Sequence, residues 1–135
     1  MNLVKLVYDK DVNSFETIAK IKGDSVEITL NDFLNSQENE AIELSTRILV
    51  WLDGNLEKSK AYAASKILSI RNEYLRSEKR IQLQLADYVK NLKLGGINAF
   101  SDERFSLYFD DNLSEDDYIV VDIGNDFSFG DVYTE

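Results

Sequence analysis

Carboxylates are the side chains of this sequence best able to do chemistry, and they are densest near its C-terminal end. Residues 110–117 contain five acids, and hard cations such as Ca²⁺ prefer carboxylate oxygens as ligands. An EF-hand loop that began at Asp110 would place Glu115 at its sixth position, where glycine is needed. It would also place Val121 at its twelfth position, where a bidentate glutamate is needed. The spacing therefore disfavours a calcium site of that kind.

Paired carboxylates can also act as acid, base or nucleophile, as they do in glycoside hydrolysis. The chain has no histidine and no cysteine, so a Ser-His-Asp triad, thiolate catalysis, disulfides and cysteine-bound zinc are excluded. Gly95 and Gly96 lack the spacing and the following lysine of a phosphate-binding loop. We expect no enzyme activity and no cofactor, with a carboxylate-based hydrolase or a Ca²⁺-binding domain as the alternative.

A docking surface is the third interpretation of the same acidic run. Closely packed like charges repel one another, and a cationic partner would relieve that repulsion and associate faster. The competing interpretation is a solvated connector between two strands, neutralised in part by basic residues of the preceding helices. The predicted partner-binding residues are Asp110, Asp111, Glu115, Asp116 and Asp117, with Tyr108 or Tyr118 as an aromatic anchor.

The net charge of −10 is concentrated in the last third of the chain. Residues 101–135 carry −10, residues 56–100 carry +5 and residues 1–55 carry −5. Nucleic acid and anionic membranes are polyanions, so neither is expected as a partner, whereas a basic protein is favoured. The N-terminal segment is too quickly polar for a signal peptide, and no run approaches the roughly 20 apolar residues of a membrane span. A cytoplasmic protein is expected.

Alternating apolar and polar residues predict strands at both ends of the chain. Residues 3–8 form the first predicted strand. Residues 15–30 predict a β-hairpin around Gly23, which can adopt a positive φ without steric cost. Three or four further strands are expected from Ile97 onward, and they include residues 105–111, 118–123 and 127–133.

Three helices are predicted between these strands. The first begins near Asn35 and ends at Gly54, which is expected in the left-handed conformation. The second spans residues 56–75, and the third spans about residues 81–92 before Gly95-Gly96. Strands, then helices, then strands indicate a single α+β domain over residues 1–135. We expect a mainly antiparallel sheet, built from N-terminal hairpin strands and C-terminal strands and covered by three central helices.

The layout of the whole chain resembles a family of uncharacterised bacterial domains of similar length. In that family the Asp-Asp pair is followed by a bulky residue, a glycine and a histidine, and residues 112–117 here contain neither the glycine nor the histidine. Some relatives look like immunity proteins, so the resemblance implies an inhibitor that binds a basic partner such as a toxin. A structural homodimer is the alternative. The segments that carry the resemblance are residues 15–30, 70–75, 88–94, 105–111 and 118–121.

Overall fold

The structure, a computed structural model, describes residues 5–113 and 117–135. Within them the chain forms one seven-stranded mixed sheet and two α-helices. The elements are β1 (Val7–Asp9), β2 (Ser14–Ile21), β3 (Asp24–Asn31), a short 3₁₀ turn (Asn35–Gln37), α1 (Glu38–Ser77), α2 (Leu85–Asn91), β4 (Lys93–Phe100), β5 (Phe105–Asp110), β6 (Ile119–Ile123) and β7 (Phe129–Thr134).

The strands lie in the sheet in the same order as in the chain. Every neighbouring pair is antiparallel except β3 and β4, which are parallel. A parallel pair needs a long crossover connection, and α1 and α2 supply it. The predicted hairpin is confirmed, because β2 and β3 pair antiparallel and both Lys22 (φ 50°) and Gly23 (φ 89°) adopt the positive φ that a tight hairpin turn requires.

The prediction of three covering helices is wrong, because α1 continues without a break from Glu38 to Ser77. Gly54 lies inside this helix and does not have a positive φ. Leu52 and Leu56 lie on either side of it and are both buried in the core. Burial of each leucine contributes about 2–3 kcal/mol, whereas one glycine inside a helix costs about 1 kcal/mol. Packing against the sheet therefore outweighs the local stop signal.

Gly95 and Gly96 do not end a helix either, because they lie inside β4, which begins at Lys93. An irregularity in the β4–β5 register falls between Leu94 and Gly96. A side chain at Gly95 would lie 3.8 Å from the ring of Tyr118, so the small residue leaves space for that ring. The predicted first strand is shorter, since β1 begins at Val7, and residues 1–4 lie outside the described residues.

One face of the sheet carries the hydrophobic core. Inward-facing residues of every strand pack with apolar residues of α1 and α2 in a single cluster. The opposite face is therefore uncovered within the described residues. On that face lie the alternate positions of β5 and β6, among them Tyr108, Asp110 and Asp122. Neither described helix contains an apolar stretch long enough to cross a membrane, and the cytoplasmic location stays a prediction.

Candidate functional site

Three tyrosines lie close together on the uncovered face at its C-terminal strands. Tyr108 of β5 and Tyr133 of β7 lie on either side of Val120 in β6, and Val120 is fully buried. Tyr118, just before β6, places its ring 6.1 Å from the ring of Tyr108, in an edge-on arrangement. Tyr118 and Tyr133 remain 48% and 39% exposed, so a partner could contact both rings.

Carboxylates surround these rings. Asp122 Oδ1 accepts hydrogen bonds from Ser106 Oγ at 2.7 Å and from the Tyr133 hydroxyl at 3.2 Å. The hydroxyl of Tyr108 donates to Glu135 Oε2 at 3.4 Å. We call the following group of residues the tyrosine–carboxylate face: Tyr108, Asp110, Tyr118, Asp122, Asp131, Tyr133 and Glu135.

Two of the tyrosine hydroxyls on this face, those of Tyr108 and Tyr133, are held in their protonated form. Partial burial raises the pKa of Tyr133 to about 12, and the negative charge of Asp122 adds to the effect. Burial also raises the pKa of Tyr108, with a contribution from Glu135, while the Asn98 side chain acts in the opposite direction. Near neutral pH Tyr108 and Tyr133 therefore present neutral phenol rings on this face.

A groove of about 460 Å³ runs along the tyrosine–carboxylate face. Asp122 of β6 and Asp131 and Tyr133 of β7 line it. Arg104 also lines the groove, but its Nε is paired with Asp102 Oδ2 at 2.7 Å. Among the described residues, Oδ2 of Asp122 has no hydrogen-bond partner, since both contacts fall on Oδ1. The groove is therefore suited to receive a cationic side chain.

Two of the predicted partner-binding acids lie elsewhere, in a buried ionic cluster with Arg71 of α1. Arg71 Nε lies 2.8 Å from Asp111 Oδ2, and Arg71 Nη2 lies 2.8 Å from Asp117 Oδ1. The hydroxyl of Tyr88 in α2 donates to Asp111 Oδ2 at 2.6 Å. Burial alone would lower the pKa of Arg71, but both carboxylates outweigh it and the pKa rises. Burial and the charge of Asp111 likewise raise the pKa of Tyr88.

This cluster ties α1 and α2 to the connection between β5 and β6. Asp111 is 1% exposed, so its carboxylate does not form part of the outer surface. Arg71, a base of the helical region, pairs with both Asp111 and Asp117, as the competing interpretation expected, but Asp111 is buried and not solvated. Glu115 and Asp116 lie outside the described residues.

Of the predicted site residues, the structure brings Tyr108, Asp110 and Tyr118 together on the uncovered face. Asp110 Oδ1 accepts a hydrogen bond from the backbone N–H of Asn112 at 2.8 Å. Lys93 lies opposite Asp110 in β4, and its Nζ lies 3.8 Å from Asp24. The role of each residue as a partner contact stays a prediction.

The predicted partner-binding residues did not include Asp122, Asp131 or Tyr133, and sequence reasoning missed the burial of Asp111. One signal was available, because successive side chains of a strand point to opposite faces. If Tyr108 and Asp110 point outward, the next residue, Asp111, points inward and must find a partner there. The lone Asp122 inside an otherwise apolar strand was a second signal. The pairing of β7 beside it could not be read from the sequence.

No group of three or more potential metal ligands occurs among the described residues. A family model described as an uncharacterised protein conserved in bacteria (DUF2262) matches residues 1–117. The matched span contains β1–β5 and both helices, and it ends before β6. No curated protein and no solved structure matches the chain.

Proposed function

The chain belongs to this uncharacterised bacterial family, and we propose that it binds a basic partner protein through the tyrosine–carboxylate face. The predicted resemblance to an uncharacterised bacterial family is confirmed. The specific form that we propose is an immunity-type inhibitor, which covers a basic toxin and thereby blocks it.

Tyrosines and carboxylates on one uncovered sheet face are the observation that supports this proposal. Tyrosine is enriched at binding hot spots, since its large ring loses little conformational entropy on binding and its hydroxyl can form a hydrogen bond. Tyr118 and Tyr133 are accessible, and Tyr108 lies between them and the centre of the sheet. The three rings provide an apolar centre for an interface.

The carboxylates define which partner fits. Asp122 is held in place by Ser106 and Tyr133, so it needs little reordering to accept a lysine or arginine. Asp131 and Glu135 are exposed on β7 or just after it. Exposed charges at the edge of an interface mainly increase the association rate, and salt weakens that effect. A basic surface with arginine or lysine near an apolar centre complements this arrangement.

Selection from a random peptide library on the immobilised protein tests the proposal. We expect enrichment of peptides that combine arginine or lysine with apolar residues, and weaker binding at higher salt. The double substitution Asp122→Lys with Asp131→Lys should weaken binding of these peptides at least about tenfold, in line with the loss of close charge pairs.

Asp53→Lys with Glu57→Lys is the matched control, because it makes the same change in net charge on the exposed side of α1. This control should bind the selected peptides as the unaltered protein does. Selected peptides without excess positive charge, or an equal loss of binding in both double variants, would show that the tyrosine–carboxylate face is not the binding site.

A further inference from the structure

β7 is an edge strand, and its outer edge offers backbone groups for hydrogen bonding. Tyr118 and Glu135 exchange both backbone hydrogen bonds, N–H of Tyr118 to O of Glu135 at 2.7 Å and the reverse at 3.0 Å. Along an antiparallel pair, such bonded pairs alternate with non-bonded pairs. Thr134, opposite Ile119, and Val132, opposite Val121, are therefore in non-bonded pairs. Their N–H and C=O groups point away from β6.

These four backbone groups have no hydrogen-bond partner among the described residues. The N-terminal end of the β7 edge is already occupied, because the Tyr62 hydroxyl of α1 donates to the carbonyl of Gly130 at 2.6 Å. The ring of Tyr62 also stacks on Phe129, with centroids 4.7 Å apart. The open part of the edge is therefore the segment around Val132 and Thr134, directly beside the tyrosine–carboxylate face.

Charge decides what can pair with this edge. Asp131 and Glu135 lie on either side of the open segment, and Asp122 lies one strand further in. A second copy that paired through its own β7 would bring Asp131 and Glu135 of both copies close together, and like charges across paired strands are destabilising. An extended segment with lysine or arginine at alternate positions would instead place positive charge beside these acids.

We propose that an extended, basic segment of the partner adds to the sheet as an eighth strand along β7. In this β-strand addition, backbone hydrogen bonds to Val132 and Thr134 hold the segment, and its alternate basic side chains meet Asp131, Glu135 and Asp122. The inference rests on the proposed function, since it specifies how the basic partner docks. Tyr133 lies between Val132 and Thr134 in β7, and its ring would contact the segment on the tyrosine–carboxylate face, as Asp131 and Glu135 would.

Hydrogen exchange measured by NMR with a decapeptide of alternating arginine and valine tests this directly. At saturating peptide, exchange of the Val132 and Thr134 amides should slow at least tenfold. The amides of Val120 and Tyr133 serve as internal references, because the β6–β7 pairing already bonds them. The matched decapeptide of alternating glutamate and valine should protect neither open amide.

Thr134→Pro provides a second measurement, with Thr134→Ala as its control. Proline removes an N–H that the β6–β7 pairing does not use, so the sheet should keep its fold while the peptide binds at least tenfold more weakly. Alanine keeps the N–H and should bind as the unaltered protein does. Both variants change the same exposed side chain, so only the loss of the backbone donor distinguishes them.

Three results would overturn the strand addition. One is peptide binding that leaves exchange at Val132 and Thr134 unchanged. Another is that the protein without peptide is a dimer by light scattering and that the Thr134→Pro variant is a monomer. That result would assign the edge of β7 to a second copy of the chain. The third is no binding of the arginine–valine peptide at millimolar concentration. In the first and third cases, library peptides that need Asp122 and Asp131 would still support the proposed function.

Discussion

Arg71 and Asp111 are opposite charges that lie between α1 and the sheet, 6% and 1% exposed. Each was removed from water at a cost of several kcal/mol, and each is stabilised there by the other. Tyr88 and Asp117 complete the hydrogen bonds of this pair. The cluster consequently makes the position of α1 over β5 and β6 sensitive to the loss of any one member.

Arg71→Met should lower the free energy of unfolding by about 3–5 kcal/mol, because it leaves the Asp111 carboxylate buried without a cation. Urea unfolding followed by circular dichroism measures the change. Arg76→Met, on the exposed last turn of the same helix, is the control and should cost less than about 1 kcal/mol. Equal losses in the two variants would mean that the buried pair contributes nothing specific.

Tyr133 and Asp122 give a prediction about pH. The pKa of Tyr133 is raised to about 12, so its neutral form contributes stability that is fully present below the unfolded-state pKa of about 10 and is lost as pH rises through 12. Asp122→Asn should lower this pKa, though not to its ordinary value, because burial is the larger cause. A ¹³C NMR titration of the tyrosine ring carbons measures it.

Asp126→Asn is the control for that titration, since Asp126 is an exposed acid in the turn between β6 and β7 and its side chain bonds Ser128. The pKa of Tyr133 should be the same in this variant as in the unaltered protein. If Asp122→Asn also left it unchanged, the hydrogen bond between Tyr133 and Asp122 would not be formed in solution.

At the scale of the elements, substitution of Gly54 in α1 and of Gly23 in the turn between β2 and β3 should change the stability in opposite directions. Gly54→Ala should stabilise the protein by about 0.5–1 kcal/mol, because Gly54 is helical and nothing lies within 4 Å of the added methyl group. Gly23→Ala should destabilise it by roughly 1–2 kcal/mol, because Gly23 has φ +89° with the same free space around it. Thermal unfolding measures both, and destabilisation by Gly54→Ala would indicate two helices in place of α1.

The contrast between these glycines shows which parts of the fold the sequence could predict. The hairpin depends on local signals, a glycine between two alternating stretches, and it was predicted correctly. The continuity of α1 depends on Leu52 and Leu56 packing against a sheet made from both ends of the chain. That packing is a tertiary effect, and it overrides the local preference of Asp53-Gly54-Asn55 for a helix end.

Part of the candidate site could also be predicted from the sequence, and part could not. Tyr108 and Tyr118 were named from their type and their acidic surroundings, and both lie on the uncovered face. Asp111 and Asp117 were grouped with Asp110 because they are close in sequence. Their pairing with Arg71, some forty positions earlier in the chain, depends on how α1 crosses the sheet. Spacing in the sequence does not contain that information.

At the scale of the whole molecule, the core extends beyond the span that the family model matches. Residues 1–117 contain β5 but not β6, and Ile119, Val121 and Ile123 of β6 are buried in the core. Each such side chain contributes about 1.5–3 kcal/mol by burial, and their sum is comparable to the total stability of a domain, about 5–15 kcal/mol.

A protein truncated after Asp117 should therefore fail to unfold cooperatively. Urea titration followed by tryptophan fluorescence tests this, because Trp51 packs against Phe105 with ring centroids 5.7 Å apart. The full chain, measured in the same way, is the reference. A sigmoidal transition of the truncated chain at a similar midpoint would show that β6 and β7 are an addition to a domain that folds without them.

The parallel pairing of β3 with β4 has a consequence for how the chain reaches its native state. Asn31 Nδ2 donates to the carbonyl of Ala99, 68 positions away, at 3.0 Å. Closing a loop of that length costs about 4 kcal/mol of chain entropy before any contact compensates for it. The hairpin of β2 and β3 and the meander from β4 to β7 are local by comparison. We expect each of them to form early and the long-range pairing of β3 with β4 to limit the folding rate. With no proline in the chain, prolyl isomerisation does not obscure that step.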